Sequence, residues 1–300
     1  SLDNGLGDLA GSSSDIHDEI SQLEYRTGKN TSVSQASHGH RAMSVMSSKH
    51  DGQNLAGIAP ESSLAGYNVY GGGVSLYDAI EDAKDLREGS QRLVFQGGIQ
   101  GESWRNDGAS EEEMRSAISE TSDYGFFAIA AGNGGPGGNL TDPDYLTGVS
   151  GVAAYQSCYD NVASIGALKN TGTEEIDGIT NITGTDLASY SNRGDDLTLV
   201  APTDSRSIDA NGVVSNFGGT SCANPNAAGV AALIWSENLS LSGGDVRAIM
   251  TSTSYDLGYI GRDNTYGSGL INAESAVRRS HALYEDEELA NLWTHNEILA

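Results

Sequence analysis

The chain has 300 residues, a hydrophobic fraction of 37% and a formal net charge of −25 at pH 7. Its length allows one large domain or two small ones, and its charge argues against nucleic-acid binding because the phosphate backbone would be repelled. No apolar run approaches the roughly 20 residues that a membrane-spanning helix needs. An acidic surface of this kind suits solubility, salty surroundings or bound Ca²⁺.

Hydrophobic periodicity predicts strands that alternate with helices along most of the chain. Residues 1–33 mix Asp, Gly and Ser and are predicted to form turns and loops. The segment 125–131, GFFAIAA, is continuously apolar, which is typical of a strand buried on both faces. Strands are predicted over 64–70, 92–95, 125–131, 162–168 and 197–201. Helices are predicted over 34–49, 75–86, 110–122, 224–237 and 245–253.

This alternation predicts an α/β fold of three layers, with a mostly parallel central sheet and helices on both faces. No internal repeat or clear linker is visible, so residues 1–280 are predicted to form one domain, followed by an acidic helix or tail over 281–300. Because the chain begins at Ser1 without a Met, we expect processing or truncation upstream. Cys158 and Cys222 are too few for a disulfide scaffold, and their pairing is left open.

A serine lies between a glycine-rich approach and an apolar run in the segment 217–235, FGGTSCANPNAAGVAALIW. Small residues before Ser221 let backbone and substrate come close, and a helix N-terminus favours negative charge that develops nearby. Pro225 fits the first turn of such a helix. Taken alone, Ser221 is more commonly explained as an ordinary N-cap on a buried helix. The motif Gly-Thr-Ser-x-Ala-x-Pro over 219–225, however, resembles the nucleophile segment of the subtilisin-like serine proteases, which implies that Ser221 is a nucleophile.

A serine nucleophile needs a base that takes its proton, and His38 is the candidate. It lies in SHGHRAMSVMSS, which resembles the His-Gly-Thr-His-Val-Ala-Gly segment of this family. His40 would lie on a different face of the same helix, so a two-histidine metal site is not predicted. The sequence departs from the family pattern at four positions, so the packing of this helix must differ: these are His40, Arg41, Met43 and Ser44.

Asp3, in SLDNGLG, is the candidate carboxylate that orients the histidine. Asp-x-Gly-Leu resembles the end of the first catalytic strand of the family, whereas an Asp-Asn-Gly turn is the alternative reading of the same residues. The chain order Asp3, His38, Ser221 is the subtilisin order and differs from that of chymotrypsin and the α/β-hydrolases.

Asn133 follows the predicted strand 125–131, in a segment that resembles the Ala-Ala-Gly-Asn segment of the family. The resemblance implies that its side-chain amide and the Ser221 backbone N–H stabilise the oxyanion of the tetrahedral intermediate. Residues 132–137 also match the GxGxxG pattern of dinucleotide-binding folds. Because Pro136 and the residues after it do not open a helix, no dinucleotide cofactor is predicted.

The resemblance further implies that an extended peptide substrate pairs with backbone near 71–75 and 95–98. Where the family usually has Ser-x-Gly, this chain has Phe-Gln-Gly-Gly over 95–98, so the shape of the primary specificity pocket is left open. Acids follow the Asn133 segment, where kexin-like members place acids that select basic side chains; these are Asp142, Asp144 and Asp160. In so acidic a chain, solvated surface carboxylates are the commoner explanation of the same residues. The predicted substrate-binding residues are Gly72, Gly73, Val74, Gln96, Gly97, Gly98, Gly132 and Thr220.

Two further segments, 188–202 and 266–273, extend the resemblance to nearly the whole chain. It implies a secreted serine endopeptidase that acts on polypeptides, is made with a pro-segment and is stabilised by Ca²⁺, with no cofactor needed for the chemistry. A pro-segment or an inhibitor would be a further partner. Two alternatives remain: a non-catalytic binding or scaffold domain, and an esterase that uses the same triad. Cys222, beside the nucleophile, adds the hypothesis that oxidation or mercurials affect activity.

Overall fold

The computed structural model describes residues 2–3, 23–27, 33–52, 55–69, 74–99, 110–138, 145–176 and 179–298. Its strands are β1 (Leu2–Asp3), β2 (Leu23–Thr27), β3 (Leu64–Asn68), β4 (Leu93–Gly97), β5 (Gly125–Ala130), β6 (Val162–Ile176), β7 (Ile179–Leu187), β8 (Leu199–Pro202), β9 (Ser205–Ile208) and β10 (Val214–Phe217). Its helices are α1 (Val33–Ser47), α2 (Leu76–Asp85), α3 (Glu111–Glu120), α4 (Thr220–Glu237), α5 (Gly243–Ser252) and α6 (Ala273–Ile298), with a 3-10 helix at Gly151–Ser157.

Eight strands form one sheet in the order β2-β3-β1-β4-β5-β6-β7, with β8 paired to β6. All of these neighbours run parallel except β6 and β7. Strands β9 and β10 form a separate antiparallel hairpin. Because β1, β3, β4 and β5 point the same way, their carboxyl ends meet at one edge of the sheet. Polar residues at this edge are therefore brought together whatever their separation in sequence.

Strand β5 explains why the sheet is covered on both faces, since all six of its residues are buried. Successive side chains of a strand point to opposite faces. Phe126 accordingly joins a core that contains Ala227 of α4, whereas Phe127 joins a second core that contains Ile80 of α2. The sheet thus lies between two helical layers, which confirms the predicted three-layer α/β fold.

Capping boxes fix the starts of two helices that cover the sheet. Ser110 and Glu113 form a capping box before α3, and Ser242 and Asp245 form another before α5. In each box the serine hydroxyl accepts a backbone N–H at the third helical position, and the acid accepts the N–H of the serine. No helix in the described part of the chain is long and apolar enough to cross a bilayer.

The predicted elements match the observed ones most closely between residues 64 and 130, where boundaries differ by only a few residues. The turns and loops predicted over 1–33 are wrong at β1 and β2, which are strands. The strand predicted at 162–168 continues to Ile176 and returns as β7. The predicted boundary between residues 280 and 281 lies inside α6, which runs without a break from Ala273 to Ile298. A separate tail after residue 280 stays a prediction.

A cavity of about 630 Å³ lies where β3 and β4 begin. Leu64 and Leu93 line it from the two strands, Leu86 from one helical layer and Trp235 from the other. Strand β1 pairs with β3 and β4 only at their carboxyl ends, so the amino-terminal parts of the two strands have this space beside them. The cavity therefore lies at the opposite edge of the sheet from Asp3.

Asn224, in the second turn of α4, joins this helix to the end of β4. It is fully buried. Its Nδ2 donates to the Gly97 carbonyl over 2.6 Å, and its Oδ1 accepts from Gln96 Nε2 over 2.7 Å. Both bonds lie in a dry interior, where a polar group left without a partner costs free energy.

We expect Asn224→Ala to lower the free energy of unfolding by on the order of 3 kcal/mol, because it removes a partner from both Gln96 and the Gly97 carbonyl. Urea unfolding monitored by circular dichroism measures this. Ser236→Ala, an exposed serine on the same helix, is the matched control and should leave the midpoint unchanged. Equal midpoints for Asn224→Ala and wild type would contradict the assigned role.

Candidate active site

Ser221 lies at the amino-terminal end of α4, as the second helical residue after the N-cap Gly219. It is 6% exposed. The apolar run that follows packs the body of the helix against the sheet, so the position of its first turn is fixed by the core. A backbone N–H this close to a helix start has no intrahelical acceptor, and the helix dipole makes the site favourable for negative charge.

Gly219 adopts a left-handed conformation with a φ of 85°, which favours glycine. Tyr190 Oη accepts a hydrogen bond from the Gly219 N–H over 3.1 Å. Thr203 Oγ1 donates to the Gly219 carbonyl over 3.1 Å. The residue that precedes the helix is therefore held at both of its backbone polar groups, and with it the turn that carries Ser221.

Asn133 follows β5 at the carboxyl edge of the sheet and is 4% exposed. Its Oδ1 accepts from the Thr220 backbone N–H over 2.9 Å and from Thr220 Oγ1 over 3.0 Å. Because both of these groups donate, the amide oxygen must face Thr220 and the amide nitrogen faces away from it. Thr220, predicted to contact substrate, is buried and serves here to orient Asn133.

The space beside Gly219 borders two N–H groups. A Cβ atom placed on Gly219 would lie 3.4 Å from Asn133 Nδ2, 3.6 Å from Asn133 Oδ1 and 3.6 Å from the Ser221 backbone N. The two nitrogens carry N–H groups, whereas Oδ1 already accepts the two hydrogen bonds from Thr220. An arrangement of this kind suits an oxyanion.

His38 lies on α1, and its half-buried ring packs edge-on against Phe217 with 5.2 Å between ring centroids and an interplanar angle of 86°. Phe217 ends β10, four residues before Ser221. Ala42 of α1 and Cys222 of α4 pack in one buried cluster with Phe217. The helix that carries the predicted base therefore contacts the helix that carries the predicted nucleophile.

Asp3 is the last residue of β1, and its backbone lies beside Asn68 of β3. This placement agrees with the predicted strand end, whereas Asn4 and Gly5, which the alternative turn needs, lie outside the described residues. Asp3 and Asn133 leave neighbouring parts of one parallel sheet at the same edge. Asp160, in contrast, precedes β6 at the opposite edge, so it does not line a pocket beside them. Asp142 and Asp144 lie outside the described residues.

The remaining predicted substrate contacts lie near this edge. The Val74 N–H donates to the Asn68 carbonyl over 3.0 Å. Gln96 is fully buried and bonded to Asn224, so its side chain supports the strand end from inside. Gly132 has a φ of 116°, and a Cβ there would come within 2.6 Å of Ser150 Oγ. Gly98 is half-buried, and Gly72 and Gly73 lie outside the described residues. Substrate contact by any of them stays a prediction.

Three residues that sequence reasoning left without a role contribute to the site. Tyr190 and Thr203 hold Gly219, and Phe217 contacts His38. Tyr190 lies in one of the segments that carried the family resemblance, and Phe217 opens the nucleophile segment, so both had a positional signal. Nothing in the sequence around Thr203 indicates its contact.

Cys158 and Cys222 are not joined in a disulfide; Cys158 is exposed and Cys222 is buried. A hydrogen bond from Arg115 lowers the pKa of the Cys158 thiol. Burial raises the pKa of the Cys222 thiol, which keeps it protonated at neutral pH. Since the thiolate is the reactive form, the sensitivity expected at Cys222 is opposed by its surroundings.

Among known proteins, the chain matches the Subtilase family over residues 3–269. It is 26% identical to the alkaline elastase YaB of Bacillus sp. (strain YaB) over 80% of this chain and 55% of that protein, so it spans about half the length of this relative. It is 26% identical to subtilisin DY of Bacillus licheniformis over 86% of this chain and 84% of that protein.

Solved structures show the same fold. The structure of the prenylagaramide maturation protease PagA superposes with a TM-score of 0.66 at 19% identity, covering 92% of this chain and 91% of that one. A structure of the subtilase cytotoxin SubAB assembly superposes with a TM-score of 0.69 at 18% identity, covering 94% of this chain and 88% of that one.

We expect iodoacetamide at neutral pH to alkylate Cys158 well before Cys222, because the Cys158 thiol is exposed with a lowered pKa and the Cys222 thiol is buried with a raised one. Peptide mapping over a time course measures the order. The variant Cys158→Ser should take up almost no label while the protein stays folded. Faster alkylation of Cys222 would contradict the packing described for the start of α4.

Proposed function

Because this chain belongs to the subtilase family, we propose that it is a serine endopeptidase with Ser221 as its nucleophile. The relatives named above are an elastase and a subtilisin, and the alignment with each of them extends over most of this chain. The observation that carries the proposal is the orientation of Asn133 by Thr220 beside Gly219 and the Ser221 N–H.

In the proposed reaction, Ser221 Oγ attacks the carbonyl carbon of the scissile peptide bond. His38 takes the serine proton and returns it to the leaving amine, while Asp3 holds the imidazole and stabilises its charged form. The acyl-enzyme is then hydrolysed by water activated by the same histidine. The packing of α1 against α4 through Phe217 and Cys222 supports this assignment.

Negative charge develops on the carbonyl oxygen in both steps. We assign its stabilisation to Asn133 Nδ2 and to the Ser221 backbone N–H, which both border the space beside Gly219. Donors fixed before the reaction need no reorganisation when the charge forms. The positive end of the α4 dipole acts in the same direction.

The proposed substrate is a polypeptide in extended form, paired with backbone near 71–75 and 95–98. No step of the reaction requires a metal ion. Among the residues that the structure describes, no group of three or more His, Cys, Asp or Glu side chains is placed to hold one. Stabilisation by Ca²⁺, secretion and a pro-segment stay predictions from the family resemblance.

A fluorophosphonate probe should label wild-type protein once, at Ser221, because attack on phosphorus needs the same activated hydroxyl and oxyanion donors as attack on a carbonyl. Ser221→Ala should abolish both labelling and peptide hydrolysis. Peptide mapping locates the label, and a fluorogenic peptide library measures hydrolysis.

Ser236→Ala, in the same helix but exposed, is the control that should label like wild type. Absence of labelling in folded wild-type protein, with or without added Ca²⁺, would overturn the peptidase proposal and favour a binding domain. Labelling together with hydrolysis of esters but not peptides would favour an esterase.

Replacing the amide donor should lower kcat with little change in KM, since the oxyanion exists only in the transition state. We expect Asn133→Ala to lower kcat by about 100- to 1000-fold. Asn133→Asp keeps an acceptor for Thr220 but loses the N–H donor, so it should be at least as impaired. Steady-state kinetics on one peptide substrate measures both variants. If Asn133→Asp retained wild-type kcat, Asn133 would serve only to hold Thr220.

A further inference from the structure

Arg41, one of the positions where the sequence departs from the family pattern, lies one helical turn after His38 on α1. Its guanidinium crosses to the β9–β10 hairpin. Arg41 Nη1 donates to Ser207 Oγ over 3.0 Å and to Ser215 Oγ over 2.7 Å. These two serines are direct cross-strand partners, so a single nitrogen bridges the two strands of the hairpin.

The same side chain reaches the turn of the hairpin through Asp209. Arg41 Nη2 lies 3.2 Å from Asp209 Oδ2, with side-chain exposures of 17% and 14%. Asp209 Oδ1 accepts from the backbone N–H groups of Asn211 and Val213, both over 2.9 Å. Arg41 therefore binds both strands of the hairpin and the carboxylate that organises its turn.

A second contact fixes the hairpin to α1 one turn further along. The Ile208 backbone N–H donates to Ser44 Oγ over 3.1 Å, and Ser44 Oγ donates to the Arg41 carbonyl over 2.8 Å. Ser44 is also a position that departs from the family pattern. The two departures thus act on the same hairpin.

The hairpin ends at Phe217, whose ring contacts His38 at the start of the same helix. The contacts form a closed loop: α1 carries His38 and Arg41, Arg41 binds the hairpin, and the hairpin brings Phe217 back to His38. From Phe217 the chain reaches Ser221 in four residues. A change in the angle between α1 and the hairpin would therefore move the His38 ring relative to Ser221.

We propose that Arg41 is a positioning residue of the active site, which clamps the β9–β10 hairpin to α1 and so fixes the His38 ring against Phe217, four residues before Ser221. This role rests on the proposed peptidase function. Arginine suits the task because its planar guanidinium donates several hydrogen bonds in fixed directions, whereas the ammonium of lysine is a single charge on a flexible stem. The pair is mostly shielded from water, so it is less screened than a surface ion pair.

The test compares Arg41→Met and Arg41→Lys with Arg206→Met, which removes a charge from an exposed position on the same hairpin. Arg41→Met should lower kcat and the rate of fluorophosphonate labelling by about tenfold or more, because small displacements of a catalytic group have large effects on rate. KM should change little. Arg41→Lys should fall between Arg41→Met and wild type, and Arg206→Met should equal wild type.

A double-mutant cycle tests whether Arg41 and Asp209 act together. If they form one clamp, Arg41→Met with Asp209→Asn should have the same kcat as Arg41→Met alone. If the two residues acted independently, the reductions in kcat of the two single variants would multiply in the double variant. If Arg41→Met does not fold, Arg41→Lys and Asp209→Asn carry the same comparison.

A measurement independent of catalysis separates the clamp from the proposed function. The NMR signals of the His38 ring, assigned with His38→Gln, report its contact with Phe217 through the ring current of the phenyl group. Arg41→Met should move these signals in the direction produced by Phe217→Leu. Movement of the signals in a protein without peptidase activity would support the clamp and overturn the peptidase proposal.

Two results would overturn the clamp. One is a folded Arg41→Met protein with wild-type kcat and wild-type His38 signals. The other is a loss of activity that follows only a lower unfolding midpoint and is fully restored by assaying at lower temperature, which would assign Arg41 a purely structural role.

Discussion

The geometry of the candidate site depends first on the two hydrogen bonds that Thr220 donates to Asn133 Oδ1. A side-chain amide can turn either its oxygen or its nitrogen toward a neighbour, and a donor on one side fixes the oxygen there. Thr220 supplies two, one of them from the backbone at a helix start. The same bonds join the end of β5 to the start of α4, so the orientation of the amide is coupled to the packing of the sheet and helix.

This junction explains why so many small residues surround it. Gly219 needs a positive φ to lead into α4, and its carbonyl accepts from both Thr203 and the Cys222 N–H. Cys222 packs without exposure against Phe217 and α1. A larger side chain at Cys222 would push α1, which carries His38, away from α4. Core packing and the geometry of the candidate site are therefore constraints on the same few residues.

The fold could be predicted from the sequence because its signals are local, whereas the roles of the site residues stay predictions that rest on short motifs. The apolar composition of β5 alone indicates a buried strand. The nucleophile segment is indicated by a short motif. The composition of residues 1–33 indicated loops where β1 lies, because only two residues take part and pairing with β3 and β4 makes them a strand. The family resemblance alone placed a strand end at Asp3. The β9–β10 hairpin was missed because its four-residue strands are largely polar and its contacts are distant in sequence. Arg41, for example, is separated from Ser207 by 166 positions and from Ser215 by 174. The sequence pattern showed that Arg41 departs from the family, whereas its contacts with the hairpin are visible only in the structure.

Gly219 is constrained both by its own backbone conformation and by the residues that surround it. An alanine there would be strained by the backbone conformation, and its Cβ would also occupy the space between the Asn133 amide and the Ser221 N–H. Relaxing the turn to relieve the strain would disturb the bonds from Tyr190 and Thr203 that hold it. Keeping the turn would place a methyl group in the space that we propose for the oxyanion. The positive φ therefore selects glycine at this position, and the proposed oxyanion site gives a second reason to keep the space beside it empty.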